Sequence, residues 1–265
     1  MLVGDEYLRE VSLKREKITS LEEYPFSIPA IRAVDGLAFH PKVTFFVGEN
    51  GSGKSTLLEA LAVHSALNAE GGSRNFGFGT RASHSTLHEV LRVVRGVRRP
   101  KDGYFLRAES FYNLASEIER LDREGAGLID AYGGVSLHEQ SHGEAFLALL
   151  TERFFGHGLY FLDEPEAALS PSRQLSVLSV IDDLVGKDSQ FVIATHSPIL
   201  MAYPHATIYL FSDQGIEPIE YKDTEHYRIT KDFLNRTEAM LRELVPGKGQ
   251  RELFEEGESR PFSDY

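Results

Sequence analysis

Gly48-Glu49-Asn50-Gly51-Ser52-Gly53-Lys54-Ser55 decides how this chain is read, because of what stands on either side of it. Residues 43–47, Val-Thr-Phe-Phe-Val, make a β-branched and aromatic run of the kind that fills a buried parallel strand. Beyond the glycines, Leu57, Leu58, Ala60, Leu61 and Ala62 continue at helical spacing. A glycine-rich turn between a strand and a helix is the setting in which this pattern binds phosphate. Its glycines let backbone N–H groups turn inward around phosphate oxygens, and the helix N-terminus adds partial positive charge. Gly48, Asn50, Gly51, Ser52, Gly53, Lys54, Ser55 and Thr56 are therefore the expected contacts, with Lys54 on the β and γ phosphates and Ser55 on Mg2+.

Two further strands end in polar clusters. Leu159-Tyr160-Phe161-Leu162 leads into Asp163-Glu164, and in phosphoryl transfer such a pair divides the work: the Asp holds Mg2+ and the Glu polarises the attacking water. Phe191-Val192-Ile193-Ala194 leads into Thr195-His196-Ser197. Strand C-termini of a doubly wound sheet converge on the ligand crevice, which brings His196 toward the phosphates beside Asp163 and Glu164.

The remaining pattern fits an α/β fold with a mainly parallel sheet flanked by helices. An edge strand is expected over 7–13, a glycine-rich mobile loop over 68–80 and a helix over 86–94. A strand over 104–106 and an amphipathic helix on Phe111, Leu114, Ile118 and Leu121 follow. From Gly143 the order is helix, strand, helix over 171–185, strand, a further strand over 207–211 and a closing helix over 228–245. The expected organisation is one domain: an N-terminal antiparallel β portion with the phosphate loop (1–66), a small inserted helical region (67–155), the catalytic core (156–245) and a frayed tail (246–265).

Composition narrows the partners. A net charge of −12 argues against a broad basic nucleic-acid footprint, yet Arg92, Arg95, Arg98, Arg99 and Lys101 form a local basic cluster, either a nucleic-acid contact or a solvated helix end. With no cysteine there are no disulfides and no thiolate chemistry. The first residues carry Asp5, Glu6, Arg9 and Glu10, so no secretory apolar core is expected. No run reaches the roughly 20 apolar residues of a spanning helix. The expected location is cytoplasmic, without direct membrane insertion.

Together these residues resemble the ABC ATPase superfamily. Ala168-Leu169-Ser170 is similar to its D-loop and His196 to its switch histidine. Gln140-Ser141-His142-Gly143-Glu144 is similar to its Leu-Ser-Gly-Gly-Gln signature, with Gln140, His142 and Glu144 departing from the pattern. The resemblance runs over about 43–211 and is closest to the stand-alone bacterial ATPases of the AAA-family group, near the DNA-repair and chromosome-organising branch. It implies that Ser141 and Gly143 cap the γ phosphate held by an opposite protomer, in a homodimer formed on ATP binding. Ser141 with Glu144 is equally a capping box.

The Q-loop residue, a further Mg2+ ligand, is represented by Glu109 or absent, and an adenine-stacking aromatic is Tyr24 or Phe26. The implied activity is ATP hydrolysis with Mg2+, catalysed by Glu164, His196 and Lys54. The client is a nucleic acid or a protein, in DNA repair and maintenance or in anti-phage defence. The alternatives are the ATP-binding subunit of a membrane transporter and a non-hydrolysing nucleotide-sensing module.

Overall fold

A computed structural model describes residues 6–73, 85–126, 129 and 134–245. Its strands are β1 (Leu8–Leu13), β2 (Leu37–Ala38), β3 (Val43–Gly48), β4 (Gly72–Ser73), β5 (Leu91–Arg95), β6 (Asp102–Arg107), β7 (Gly158–Asp163), β8 (Gln190–Ala194), β9 (Ala206–Ser212) and β10 (Gly215–Pro218). Its helices are α1 (Pro29–Arg32), α2 (Lys54–His64), α3 (Leu87–Val90), α4 (Phe111–Leu121), α5 (His142–Ala148), α6 (Pro171–Gly186), α7 (Glu225–Asn235) and α8 (Thr237–Leu244). The chain divides into two compact units, Met1–Tyr221 and Lys222–Tyr265.

In the first unit the main sheet has seven strands in the order β10-β9-β3-β8-β7-β6-β4. The five from β9 to β6 run parallel, and β10 and β4 close the two edges antiparallel. Every residue of β3, β7 and β8 is buried, as their near-continuous apolar runs require of strands covered on both faces. Alternate side chains then feed two cores. Val43, Phe45, Tyr160, Leu162, Phe191 and Ile193 face α4, α5 and α6. Phe46, Leu159, Phe161, Val192 and Ala194 face α2 and the N-terminal sheet. Truncating one of these fully buried rings, such as Phe161, to alanine costs about 3–5 kcal/mol.

The N-terminal sheet has three antiparallel strands ordered β2-β1-β5. A single amide fastens it to the main sheet. Gln190 Oε1 on β8 accepts the backbone N–H groups of Tyr7 and Leu8 at 2.9 and 2.8 Å, and its Nε2 donates to the carbonyls of Leu8 and His40 at 2.9 and 3.0 Å. The whole hydrogen-bonding capacity of that side chain is used.

Several expectations are corrected. The strand expected at the edge over 7–13 is the middle of its sheet, because residues 91–95 form β5 beside it; of the helix expected over 86–94 only one turn exists. Arg92 and Arg95 therefore project from a strand. Within the expected loop over 68–80, Gly72 and Ser73 pair with β6, and residues 74–80 lie outside the described residues. Strand β6 itself sits inside the main sheet, so the span 67–155 contributes to the core sheet as well as helices. In the second unit, the closing helix expected over 228–245 is two helices broken at Arg236, whose φ of −136° is not helical. Neither of them contains a buried residue. The tail over 246–265 lies outside the described residues.

Candidate functional site

The phosphate loop is shaped by close approach at its start and by backbone handedness at its end. Gly48 is paired beside Phe211 of β9, and a Cβ there would stand 2.2 Å from the Phe211 carbonyl oxygen, with φ at +137°. Gly53, at φ +101°, is the left-handed residue that opens α2. Between them the chain curls so that Lys54, buried to 3% exposure, donates to the carbonyls of Gly48 and Glu49 at 2.9 and 2.7 Å. Burial pushes the Lys54 ammonium below its ordinary pKa, opposed by the charges of Glu164, Asp163 and Glu166.

Strand parity places the metal-type residues. Leu159 and Phe161 face α2, so Asp163 at the end of the same strand faces it too, and Ser55 Oγ donates to Asp163 Oδ1 at 2.8 Å. The neighbouring strand obeys the same alternation: Arg107 stands beside Asp163 in register and lies 3.4 Å from Oδ2, while also donating to Glu59 of α2 at 2.8 Å. Burial dominates nonetheless and lifts the Asp163 carboxyl from 3.8 to about 6, against the pull of Arg107 and the Ser55 hydrogen bond.

Glu164 follows in the left-handed region, φ +50° and ψ +51°, a conformation that costs a non-glycine residue about 1–2 kcal/mol. Its N–H is tied to the Ala194 carbonyl at 2.9 Å, and its carboxylate lies 3.6 Å from His196 Nε2. The 195–197 turn is itself clasped. Glu166 accepts from Thr195 Oγ1 at 2.7 Å and from the His196 N–H at 2.5 Å, while Ser197 Oγ donates to Gln174 Oε1 at 2.5 Å. Glu166 titrates above its ordinary range because of burial.

A cleft of about 400 Å³ opens over Asn50, Gly51, Lys54, Ser55 and Thr56, walled by Tyr24, Glu109 and Glu164. Of the two aromatic candidates, Phe26 is buried in the core, whereas Tyr24 is 63% exposed on this wall with its hydroxyl 3.3 Å from Thr56 Oγ1. The Glu109 side chain is 87% exposed there and lies 3.9 Å from Arg107. The cleft suits a polyphosphate: Ser52 Oγ is buried with no hydrogen-bond partner, a Cβ on Gly51 would meet nothing within 4 Å, and a buried cation forms the floor. Ser55 and Asp163 form a small oxygen set of the kind Mg2+ takes together with water and substrate phosphates.

The cleft's lining includes neither Ser141 nor Gly143. Both halves of the capping box are formed: Ser141 Oγ donates to Glu144 Oε2 at 2.6 Å and Ser141 N donates to the same oxygen at 3.1 Å. Ser141 is exposed and Gly143 buried. The sequence reading passed over Arg107, Glu166 and Arg173. Glu166 had a signal in its position two residues past a strand-end carboxylate, while the two arginines had none short of tertiary contact.

Comparison with known proteins agrees with this geometry. Two family models match parts of the chain, "AAA domain" over residues 27–110 and "AAA domain, putative AbiEii toxin, Type IV TA system" over residues 129–202. A "Putative ABC transporter ATP-binding protein" of Caldanaerobacter subterraneus subsp. tengcongensis is 30% identical over 192 residues, 64% of this chain and 77% of the relative. One of the same description from Geobacter sulfurreducens is 26% identical over 71% of this chain and 78% of its own length. An ABC-type transporter of Cochliobolus heterostrophus is 25% identical over 77% of this chain, which spans 14% of that longer protein. Among solved structures, the SMC head domain from Thermotoga maritima covers 81% of this chain and 99% of its own at 16% identity, with a TM-score of 0.44. The chain belongs to the ABC-class P-loop ATPases.

Proposed function

We propose that this chain hydrolyses ATP to ADP and phosphate with Mg2+, and that two copies close head to tail over two nucleotides to do so. The observation that supports this reading most directly is Lys54, a buried ammonium held only by loop carbonyls at the floor of the cleft. Such a cation exchanges those carbonyls for the more strongly charged β and γ phosphate oxygens. Gly48, Asn50, Gly51, Ser52, Gly53 and Thr56 surround the phosphates, and Tyr24 offers a ring to the base.

Mg2+, when bound, supplies positive charge that bridges β and γ oxygens. Ser55 and Asp163 are the residues that would hold it, with Glu109 as a further oxygen on the cleft wall. Glu164 orients a water and takes its proton as the water oxygen bonds to the γ phosphorus; the bond to the β–γ bridging oxygen breaks, and its electron pair leaves with ADP. His196, 3.6 Å from Glu164, fixes that carboxylate and contacts the γ phosphate. Ser141 and Gly143, which do not line the chain's own cleft, cap the γ phosphate of the facing copy. Shared contacts of this kind give the closed pair its dependence on ATP.

The test is the Glu164→Gln variant, followed by light scattering and phosphate release. It should bind ATP, release phosphate at least about a hundredfold more slowly and form a dimer only with ATP and Mg2+. A variant that stays monomeric at saturating nucleotide refutes the head-to-tail pair.

The client proposed for the cycle is DNA, at the basic strip from Arg92 to Lys101. Two of its arginines are partly engaged: Arg95 donates to the His64 carbonyl at 2.9 Å, and Arg98 pairs with Asp188 at 2.9 Å. A low-salt gel shift with and without ATP tests this, and unchanged mobility in both removes it. The descriptions of the two bacterial relatives favour a second reading, a cytoplasmic ATP-binding subunit docked on a membrane partner. No helix among the described residues is long and apolar enough to cross a membrane. Recovery of the trapped Glu164→Gln variant with membranes rather than with DNA would select that reading.

A further inference from the structure

The cap segment holds a carboxylate where a phosphate is to arrive, and its hydrogens do not suffice for both. Ser141 Oγ has one hydrogen, and it goes to Glu144 Oε2 at 2.6 Å. A γ phosphate from a facing copy would compete for that hydrogen while standing beside a like charge. An amide at residue 144 would bring donors of its own; Glu144, when ionised, brings none.

Arg173 meets both deficits. It is the third residue of α6, directly after the 165–170 turn, with its N–H capped by Ser170 Oγ at 3.4 Å. From there Nη1 donates to Ser141 Oγ at 3.0 Å and Nη2 to Glu144 Oε1 at 2.9 Å. The guanidinium reaches them by crossing over Gly143, where a Cβ would lie 2.4 Å from Nη1. Gly143 thus leaves room for a cation as well as for a ligand. About a third of the Arg173 side chain stays open to solvent, 33%, so the charge is presented at the surface and not spent inside the fold.

We propose that Arg173 is a positioning residue for the nucleotide of the facing copy: it cancels the charge of Glu144 and fixes Ser141, making a segment with an acidic last residue able to receive a phosphate. The inference rests on the head-to-tail reading above and adds to it the residue that makes the degenerate segment work. It also ties the cap to the turn bearing Glu166, because Arg173 and Glu166 stand at the two ends of one short stretch of chain.

Four proteins test it, all carrying Glu164→Gln: that change alone, with Arg173→Ala, with Glu144→Gln, and with both. The readouts are the ATP-dependent dimer constant by sedimentation, the affinity of the dilute monomer for a fluorescent ATP analogue, and the melting temperature. Arg173→Ala should weaken the dimer by roughly tenfold or more while leaving monomer affinity unchanged. Adding Glu144→Gln should bring the dimer back to within about threefold of the parent, since no charge then needs cancelling. Equal dimerisation of the Arg173→Ala protein and its parent would overturn the proposal and leave the head-to-tail reading standing. Loss without recovery by Glu144→Gln would overturn it as well, by showing a packing role. Failure of the Glu164→Gln parent to dimerise would sink both.

Discussion

Asp163 should be a burden to the protein whenever no metal is bound. Its carboxyl is lifted from 3.8 to about 6, chiefly by burial, so the folded state holds the proton more tightly than the unfolded chain does. A raised acid of this kind favours the fold below the unfolded value, and that advantage is lost as pH rises toward and through about 6. Relative to its protonated form, ionised Asp163 then costs about 3 kcal/mol at neutral pH. Asparagine keeps an acceptor for the Ser55 hydroxyl and cannot ionise, and Arg107 retains Glu59 as a partner at 2.8 Å. In the absence of divalent cations, urea unfolding should therefore find Asp163→Asn more stable than the parent at pH 7.5 by up to about 3 kcal/mol. At pH 5 the gain should shrink to about half. With Mg2+ and ATP the order should reverse, because the variant has lost a metal ligand. A variant less stable than its parent at pH 7.5, or a gain that does not change with pH, would refute the reasoning.

Two further outcomes follow from single contacts. Gly48→Ala places a methyl 2.2 Å from the Phe211 carbonyl in a left-handed backbone, and should lower stability by about 3 kcal/mol or more, read as a fall in melting temperature with or without nucleotide. Glu166→Gln can accept at only one of its two terminal atoms, so either the Thr195 hydroxyl or the His196 N–H loses its partner. A looser switch turn should reduce kcat about tenfold with KM little changed, and steady-state ATPase kinetics on the purified chain will report it.

The central sheet and its loop were legible because their signals are local. Residues 43–55, 159–164 and 191–197 each carry an apolar strand and its terminal polar cluster within about a dozen positions, and each stands where the pattern put it. What escaped the sequence is what depends on distant partners. Leu91-Arg92-Val93-Val94-Arg95 continues a helical turn in its own spacing, yet it is a strand because β1 lies alongside it. The β9–β10 hairpin turns at Asp213 and Gln214 with no proline to announce it. Helix α7 stops at Arg236, which is neither glycine nor proline. In the candidate site, Lys54, Ser55, Asp163, Glu164 and His196 were found by motif. Arg107 and Arg173 take their places only when β6 meets β7 and α6 meets the 141–144 segment. Strand parity would have put Arg107 on the α2 face had its neighbour in the sheet been known.

The Gln190 amide has a consequence for the order in which the molecule is made. Its partners Tyr7 and Leu8 leave the ribosome more than 180 residues ahead of it, so the first strand has no anchor during most of synthesis. Contacts of such separation form late. The nascent N-terminus must wait, exposed, for the C-terminal half to emerge, which makes it the stretch a chaperone would shield first.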